Sequence, residues 1–253
     1  MLLLMQKSVW ILLTLTSSFA ALCSSRALAG VKSTENSMYS VRRDIRRCAA
    51  PACGGWWVAP VNTAASSLLN ESLLAIQDAP HTGSAPAYVA DLEFSCAHWT
   101  PQQINTFSAL AERGVALIYG QLSPSRSVDS SLNDGQEPQN TYRTLVVRDA
   151  FTSANSNAPK GIFYTVKSTG IMCTLAPCPT DQADMINTKT SQKIHALDFD
   201  KTFTPEQLAQ AQLDLDASGF VASGTQHLFN AEAGEGVRLE INQIFWPFPA
   251  AAQ

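Results

Sequence analysis

A short series of sequence landmarks occurs twice along this chain in the same order. Leu-Glu-Phe at 92–94 is followed by Thr-Pro at 100–101, and Leu-Asp-Phe at 197–199 is followed by Thr-Pro at 204–205. A pair of cysteines precedes each set, and an apolar alternation follows each set. Self-similarity on this scale predicts a supersecondary unit that is built twice.

The Thr-Pro landmarks predict helix starts. Thr100 and Thr204 can cap the free amides of a first turn, the prolines suit the first helical position, and a glutamine three residues after each threonine completes a capping box. Apolar alternation around both helices predicts strands joined mostly by hairpins. The expected fold class is α+β: two tandem repeats, residues 39–153 and 163–248, each an antiparallel sheet with one helix packed on a face. The helix residues expected to point inward are Ile104, Phe107, Ala111, Leu208, Ala211 and Leu215.

Residues 1–29 have the pattern of an export signal. One cation, Lys7, precedes an apolar run at 9–22 that is shorter than the roughly 20 residues of a membrane-spanning helix. Ala27-Leu28-Ala29 then offers a cleavage site. We expect a secreted or periplasmic protein without a membrane span, in which residues 30–38 form an N-terminal linker.

A cut before Cys23 is the alternative, and it would leave a lipid-anchored N-terminus. Leu22 precedes that cysteine, where lipoprotein signals prefer a small side chain, so we favour the cut after Ala29. Without Lys7 and Arg26 the formal charge of −4 becomes about −6. An acidic chain with few basic and aromatic clusters argues against a nucleic-acid partner and leaves an unknown protein or small-molecule ligand.

The cysteine pairs predict two short disulfides, Cys48 with Cys53 and Cys173 with Cys178. Paired cysteines in exported chains most often form disulfides. Zinc held by four thiolates is one alternative, but metal knuckles usually separate their ligands by two residues instead of four. A redox-active pair would also need two intervening residues. We therefore predict no metal and no cofactor.

Cys96 is left over from this pairing and lies two residues before His98. A free thiol beside a base could serve a hydrolase as its nucleophile. The other interpretation is a small buried residue, or a site of intermolecular pairing, at the end of a strand. We favour the second interpretation because the second copy has neither residue at this place. No phosphate loop, nucleophile elbow or zinc-protease helix is present in the sequence, so we predict no catalytic residues.

The most unusual stretch is 39–62, which contains Arg-Arg-Cys-Ala-Ala-Pro-Ala-Cys-Gly-Gly-Trp-Trp-Val at 46–58. It resembles a domain family of unknown function that is found in secreted bacterial proteins. The resemblance implies an exported bacterial protein and no catalytic residues, because that family has no assigned activity. The second copy lacks the Gly-Gly-Trp-Trp segment after Cys178.

Arginine together with tryptophan is typical of binding hot spots. The possible binding surface consists of Arg42, Arg43, Arg46, Arg47, Trp56 and Trp57. In the alternative interpretation one tryptophan packs in the core and the arginines pair with acids of the second copy. The leading hypothesis is an exported, non-catalytic binding or structural protein. A secreted proteinaceous inhibitor or ligand-binding module, and a hydrolase near Cys96 and His98, are the alternatives.

Overall fold

The computed structural model describes residues 36–47, 53–63, 86–123, 126–127, 141–157, 159–231 and 234–249. The predicted signal peptide at 1–29, Cys23 and Cys48 lie outside these residues. The described strands are β1 (Ser37–Arg43), β2 (Trp56–Pro60), β3 (Ala87–Val89), β4 (Asp91–Glu93), β5 (Ala116–Leu122), β6 (Arg126–Ser127), β7 (Thr141–Tyr142), β8 (Thr144–Ser153), β9 (Ile162–Ser168), β10 (Asp181–Met185), β11 (Ser191–Ile194), β12 (Ala196–Phe199), β13 (Phe220–Ala231) and β14 (Gly234–Phe248). The described helices are α1 (Pro101–Glu112) and α2 (Pro205–Ala217).

Twelve of these strands form one sheet. Ten lie side by side in the order β11-β10-β9-β13-β14-β8-β5-β1-β2-β3, all antiparallel. The two strands that precede the helices add parallel pairings, β4 with β8 and β12 with β14. The short strands β6 and β7 pair only with each other.

The predicted fold class, two tandem α+β repeats with a sheet each, is wrong. We call β1 to β5 together with β8 the first half of the sheet and β9 to β14 the second half. The last strands of the two halves, β8 and β14, pair antiparallel from Phe245 opposite Ser153 to Phe248 opposite Ala150. β4 and β12 cover other parts of the same edges, so this four-residue pairing satisfies main-chain groups that would otherwise be left open and joins the strands into one sheet. Outward from this junction, the strand order is β8-β5-β1-β2-β3 on one side and β14-β13-β9-β10-β11 on the other.

Both predicted helix starts are confirmed. Thr100 and Thr204 each accept a hydrogen bond at 3.3 Å from the N–H of the glutamine three residues on, and both capping boxes are complete. Of the residues predicted to point inward, Ile104 is half-buried and Leu208 is exposed, whereas four are buried: Phe107, Ala111, Ala211 and Leu215. Neither described helix is long and apolar enough to cross a membrane.

The helices cover two hydrophobic clusters on one face of the sheet, and a third cluster lies on the opposite face. The first cluster surrounds Phe107 of α1 and the second surrounds Ala211 and Leu215 of α2. The third cluster draws side chains from both halves: Met38, Val61, Leu117, Phe163, Val221 and Phe245. Burial of this shared cluster holds the two halves of the sheet against each other.

Two asparagines, Asn62 after β2 and Asn187 after β10, complete the contact between the halves. Both have a left-handed backbone, with φ of 63° and 61°, which asparagine tolerates better than most residues. Each side chain makes three hydrogen bonds to the main chain of the opposite half. Asn62 accepts from Phe163 N–H (2.8 Å) and donates to the carbonyls of Phe163 (2.9 Å) and Ile186 (2.8 Å). Asn187 accepts from Met38 N–H (2.9 Å) and donates to the carbonyls of Met38 (2.8 Å) and Val61 (3.1 Å).

Candidate functional site

The register of β1 with β2 decides where the predicted arginine and tryptophan residues lie. Arg42 is opposite Trp57 and Arg43 is opposite Trp56. Successive side chains of a strand point to opposite faces of the sheet. Trp56 therefore packs in the cluster under α1, where it is 3% exposed, and Trp57 is half-buried on the other face. The structure thus divides the six predicted residues between two faces.

The arginines that follow β1 extend this arrangement. The guanidinium of Arg43 lies 4.9 Å from the centre of the Trp56 ring, and its Nε is 4.0 Å from a carboxylate oxygen of Glu112 on α1. Arg46 lies over the opposite face, and Arg47 beside it is exposed. The two ion pairs that the structure shows for these arginines within the described residues join Arg43 to Glu112 and Arg46 to Asp44, which are acids of the first half and not of the second.

On the face away from α1, three side chains form what we call the Arg46 stack: Arg46, Trp57 and Tyr88. The Arg46 guanidinium is 4.9 Å from the Trp57 ring centre and 5.5 Å from that of Tyr88. The two rings meet edge to face at 5.4 Å. The Tyr88 hydroxyl accepts a hydrogen bond from Gly55 N–H at 3.0 Å, and burial raises the pKa of Tyr88. Sequence reasoning missed Tyr88, although it lies directly opposite Trp57 in the β2–β3 ladder.

Asp44 binds the guanidinium of Arg46 and so fixes the Arg46 stack. This carboxylate is 4% exposed and accepts hydrogen bonds from Arg46 Nε at 3.0 Å and Nη2 at 2.9 Å. Burial acts to raise the pKa of Asp44, but hydrogen bonds and the charge of Arg46 outweigh it and hold that pKa below its usual value. The same hydrogen bonds raise the pKa of Arg46. Arg46 therefore mainly stabilises the local fold, since some of its hydrogen-bond donors already bind Asp44.

Replacing Asp44 with asparagine is expected to lower the free energy of unfolding by about 2 kcal/mol at pH 7, because a charged hydrogen-bond acceptor is lost from a buried site. The folded-state pKa of Asp44 lies below its unfolded value. Its stabilisation is thus fully present above pH ~4 and is lost as the pH falls through the folded-state pKa. Urea unfolding at pH 7, 5 and 3 should show the gap between wild type and Asp44→Asn narrowing only at the lowest pH.

The matched control for this experiment is Asp149→Asn, since Asp149 is exposed on β8. We expect it to change the free energy of unfolding by less than about 0.5 kcal/mol at each pH. A gap for Asp44→Asn that stays constant down to pH 3 would show that Asp44 does not stabilise the fold as a carboxylate.

An open groove lies between β4, the segment after it and α1, and we call it the β4–α1 groove. Its volume is about 630 Å³. Its walls include three aromatic side chains and three charged ones: Trp56, Phe94, Trp99, Arg43, Asp91 and Glu93. Two of the predicted surface residues, Arg43 and Trp56, therefore belong to a concave site.

Trp99 is the centre of the aromatic wall. Its ring stacks on Phe94 with 5.1 Å between ring centres and meets Phe107 of α1 at 5.3 Å. Phe248, at the end of β14, completes the cluster at 5.2 Å from Trp99. Such pairs fix ring orientations beyond what burial alone achieves, so the groove has a firm apolar wall.

The carboxylates of the groove sit on β4. Asp91 and Glu93 are exposed on either side of the buried Leu92. Glu93 accepts a hydrogen bond from the Ser95 hydroxyl at 2.8 Å, and Asp91 accepts one from Leu92 N–H at 2.8 Å. The groove thus combines an aromatic wall with the negative charge of β4 and the positive charge of Arg43, which lies near Glu112.

The predicted disulfide between Cys173 and Cys178 is confirmed, with an S–S distance of 2.09 Å. Cys53 is also disulfide-bonded. Its predicted partner Cys48 lies outside the described residues, so that pairing stays a prediction. Zinc held by four thiolates is excluded, because disulfide sulfurs are not thiolates. Within the described ranges, no group of three or more histidine, cysteine, aspartate or glutamate residues could hold a metal ion.

The prediction that Cys96 is unpaired is wrong, because Cys96 is disulfide-bonded. A sulfur in a disulfide has no thiolate with which to attack a substrate. His98 is exposed and has a left-handed backbone, with φ of 53°. The hydrolase hypothesis therefore loses the nucleophile on which it depended.

No curated protein and no solved structure matches this chain. One protein-family model does match, over residues 37–251. The matched range contains all twelve strands of the large sheet, the Arg46 stack and the β4–α1 groove. The chain therefore belongs to the family described as a domain of unknown function, DUF6748.

Proposed function

We propose that this protein is an exported, non-catalytic ligand-binding protein whose ligand lies in the β4–α1 groove. The observation that carries this proposal is the composition of the groove: an aromatic wall together with two carboxylates and a guanidinium. Small-molecule sites are typically concave, roughly 300–1,000 Å³ in volume, and mostly apolar with a few polar groups that fix orientation. The groove, at about 630 Å³, falls within that range.

The lining defines the class of ligand. An apolar or aromatic face of the ligand would contact Phe94 and Trp99. Amine or hydroxyl donors would reach Asp91 and Glu93, because carboxylates accept hydrogen bonds and attract cations. An acceptor group would face Arg43, whose side chain is 39% exposed and so keeps donors available. A small ligand with an apolar face, at least one donor group and at least one acceptor group satisfies all three parts of the groove.

The cysteines support export. Among the described residues no cysteine is free, and Cys53, Cys96, Cys173 and Cys178 are all in disulfides. Disulfides form and persist in oxidising compartments such as the periplasm or the extracellular space. Together with the signal-like residues 1–29, this favours a secreted or periplasmic protein. The cut after Ala29 removes Cys23 and leaves five cysteines, so one of them then has no intramolecular partner. An intact-mass measurement on the exported protein, with and without reduction, tests that cut, the absence of a lipid at Cys23 and the number of disulfides.

The groove is tested by filling it. Ser108 of α1 lines the groove and is half-buried, so Ser108→Trp places a large ring inside it. A thermal-shift screen of sugars, amino acids and quaternary amines should identify compounds that stabilise the wild type. We expect Ser108→Trp to abolish that stabilisation and Asp91→Asn to weaken binding about tenfold, the cost of one charged hydrogen bond.

The matched control is Asp198→Asn. Asp198 is an exposed carboxylate on β12, the strand that precedes α2, and lies 3.8 Å from Arg238, away from the groove. It should leave the affinity unchanged. If no compound stabilises the wild type, or if Ser108→Trp binds every compound equally well, the groove is not the ligand site.

A further inference from the structure

A loop between β9 and β10, residues 170–179, is independent of the groove, and we call it the disulfide loop. Residues 171–176 are all exposed. Three of them are large and apolar: Met172 is 95% exposed, Leu175 is 70% exposed and Ile171 is 40% exposed. Single exposed apolar side chains are common on protein surfaces, but clusters of them mark interaction sites.

The base of the disulfide loop is closed by hydrogen bonds and its tip by a covalent bond. Thr169 N–H donates to the carbonyl of Thr180 at 2.8 Å. The Thr169 hydroxyl accepts from Ile171 N–H at 3.2 Å. The Cys173–Cys178 disulfide then closes the tip, with 5.6 Å between the two Cα atoms. Hydrogen bonds at the base and the disulfide at the tip therefore both restrict the conformation of the disulfide loop.

The β13–β14 hairpin supports the disulfide loop from one side. A Cβ added to Gly236 of β14 would lie only 2.9 Å from Cβ of Pro177, so the strand and the loop are in close contact. The exposed Leu175 is two residues from Pro177 and lies between the two bonded cysteines. It is thus presented in a conformation fixed before a partner arrives, which reduces the entropy lost on binding.

The main chain at the tip is open to a partner. Across residues 172–177 no N–H or C=O hydrogen-bonds to any part of the chain that the structure describes. No residue from Ile171 to Cys178 has a positive φ. A binding partner can therefore pair with this main chain and receive a protruding side chain at the same time.

We propose that the disulfide loop is a substrate-like inhibitory loop for a serine endopeptidase, with Leu175 entering the primary specificity pocket of the enzyme. Such enzymes combine main-chain recognition of the substrate with one pocket whose chemistry sets specificity. Leu175 fits an apolar pocket and would be rejected by an acidic one. It is preferred over Met172 because the disulfide fixes the chain on both sides of Leu175.

The disulfide also keeps the loop in one piece if the enzyme cuts it. Hydrolysis of the Leu175–Ala176 bond adds the hydroxyl of water to the Leu175 carbonyl carbon and a proton to the Ala176 nitrogen. The two new ends remain in one molecule, because the bond between Cys173 and Cys178 spans the cut. The cut protein therefore keeps its contacts with the enzyme, and it dissociates from the enzyme slowly compared with a cut linear peptide.

The test uses the oxidised chain from Gly30 onward and three endopeptidases: chymotrypsin with an apolar pocket, elastase with a small one and trypsin with an acidic one. We expect competitive inhibition of chymotrypsin and none of trypsin. Leu175→Asp should raise the inhibition constant for chymotrypsin about 100-fold, as for loss of a central hot spot. Leu175→Lys should transfer inhibition to trypsin, whereas Met172→Ala should leave the inhibition constant for chymotrypsin within about threefold.

The double variant Cys173→Ser/Cys178→Ser should be cut rapidly and should no longer inhibit, with thermal unfolding used to confirm that it is folded. The proposal is overturned if the wild type does not inhibit chymotrypsin, if it is cut as fast as a linear peptide, or if Leu175→Lys does not inhibit trypsin. Ser108→Trp should inhibit as the wild type does, so failure of the groove proposal and failure of the loop proposal are separate outcomes.

Discussion

Replacing Asn62 with alanine is expected to lower the free energy of unfolding by about 3 kcal/mol, because three hydrogen bonds worth about 1 kcal/mol each are lost. The side chain bonds to both main-chain groups of Phe163 and to the carbonyl of Ile186. These partners belong to the other half of the sheet, beside the third hydrophobic cluster. Alanine also tolerates the left-handed backbone at this position less well than asparagine does. The measurement is the urea midpoint followed by circular dichroism.

Variants of the same site sharpen the test. Asn62→Asp keeps an acceptor for Phe163 N–H but places a negative charge against two carbonyl oxygens, so its loss should exceed that of alanine. Asn62→Ala with Asn187→Ala should lose less than the sum of the single variants, because both side chains hold the same contact between the halves. Asn230 is exposed near the end of β13, and Asn230→Ala serves as the control. An Asn62→Ala loss no greater than the Asn230→Ala loss would show that the asparagines do not hold the halves together.

The helix starts could be predicted from the sequence because a capping box is local. All its hydrogen bonds lie within the four residues from Thr100 to Gln103, or from Thr204 to Gln207. The short disulfide between Cys173 and Cys178 was predictable for the same reason. In each case the residues that interact are also neighbours in the chain, so composition and spacing contain the information.

The single sheet could not be predicted in this way. Alternation shows which side chains of a strand are buried, but it does not show which strands are neighbours. The pairing of β8 with β14 joins strands that are far apart in the chain. The alternation within β8 and β14 does not identify the neighbouring strand, so two separate sheets and one continuous sheet fit the same pattern.

The site was predicted in part for a related reason. The arginines and tryptophans were recognised by residue type, but their division between two faces follows from the register of β1 with β2. Phe94 and Trp99 lie where no periodicity marks them, so the groove was missed. The asparagines did leave a signal, since Val61-Asn62-Thr63 is matched by Ile186-Asn187-Thr188. A tripeptide match is too short to assign a role before the tertiary contact is known.

Gly55→Ala is expected to lower the free energy of unfolding by about 3 kcal/mol, because the added methyl group has no space. An ideal Cβ there would lie 2.2 Å from the carbonyl oxygen of Val89 and 2.7 Å from the hydroxyl of Tyr88. The neighbouring Gly54 needs glycine for a different reason: its φ is +81°, and nothing lies within 4 Å of an added Cβ. Gly54→Ala should therefore lower the free energy of unfolding by only about 1 kcal/mol, through backbone strain.

Since β3 carries Tyr88, Gly55→Ala should also separate the Tyr88 ring from Trp57 and change the fluorescence emission of Trp57, whereas Gly54→Ala should not. Equal losses in urea unfolding for the two variants would mean that backbone conformation, and not the close approach of β3, requires the glycine pair.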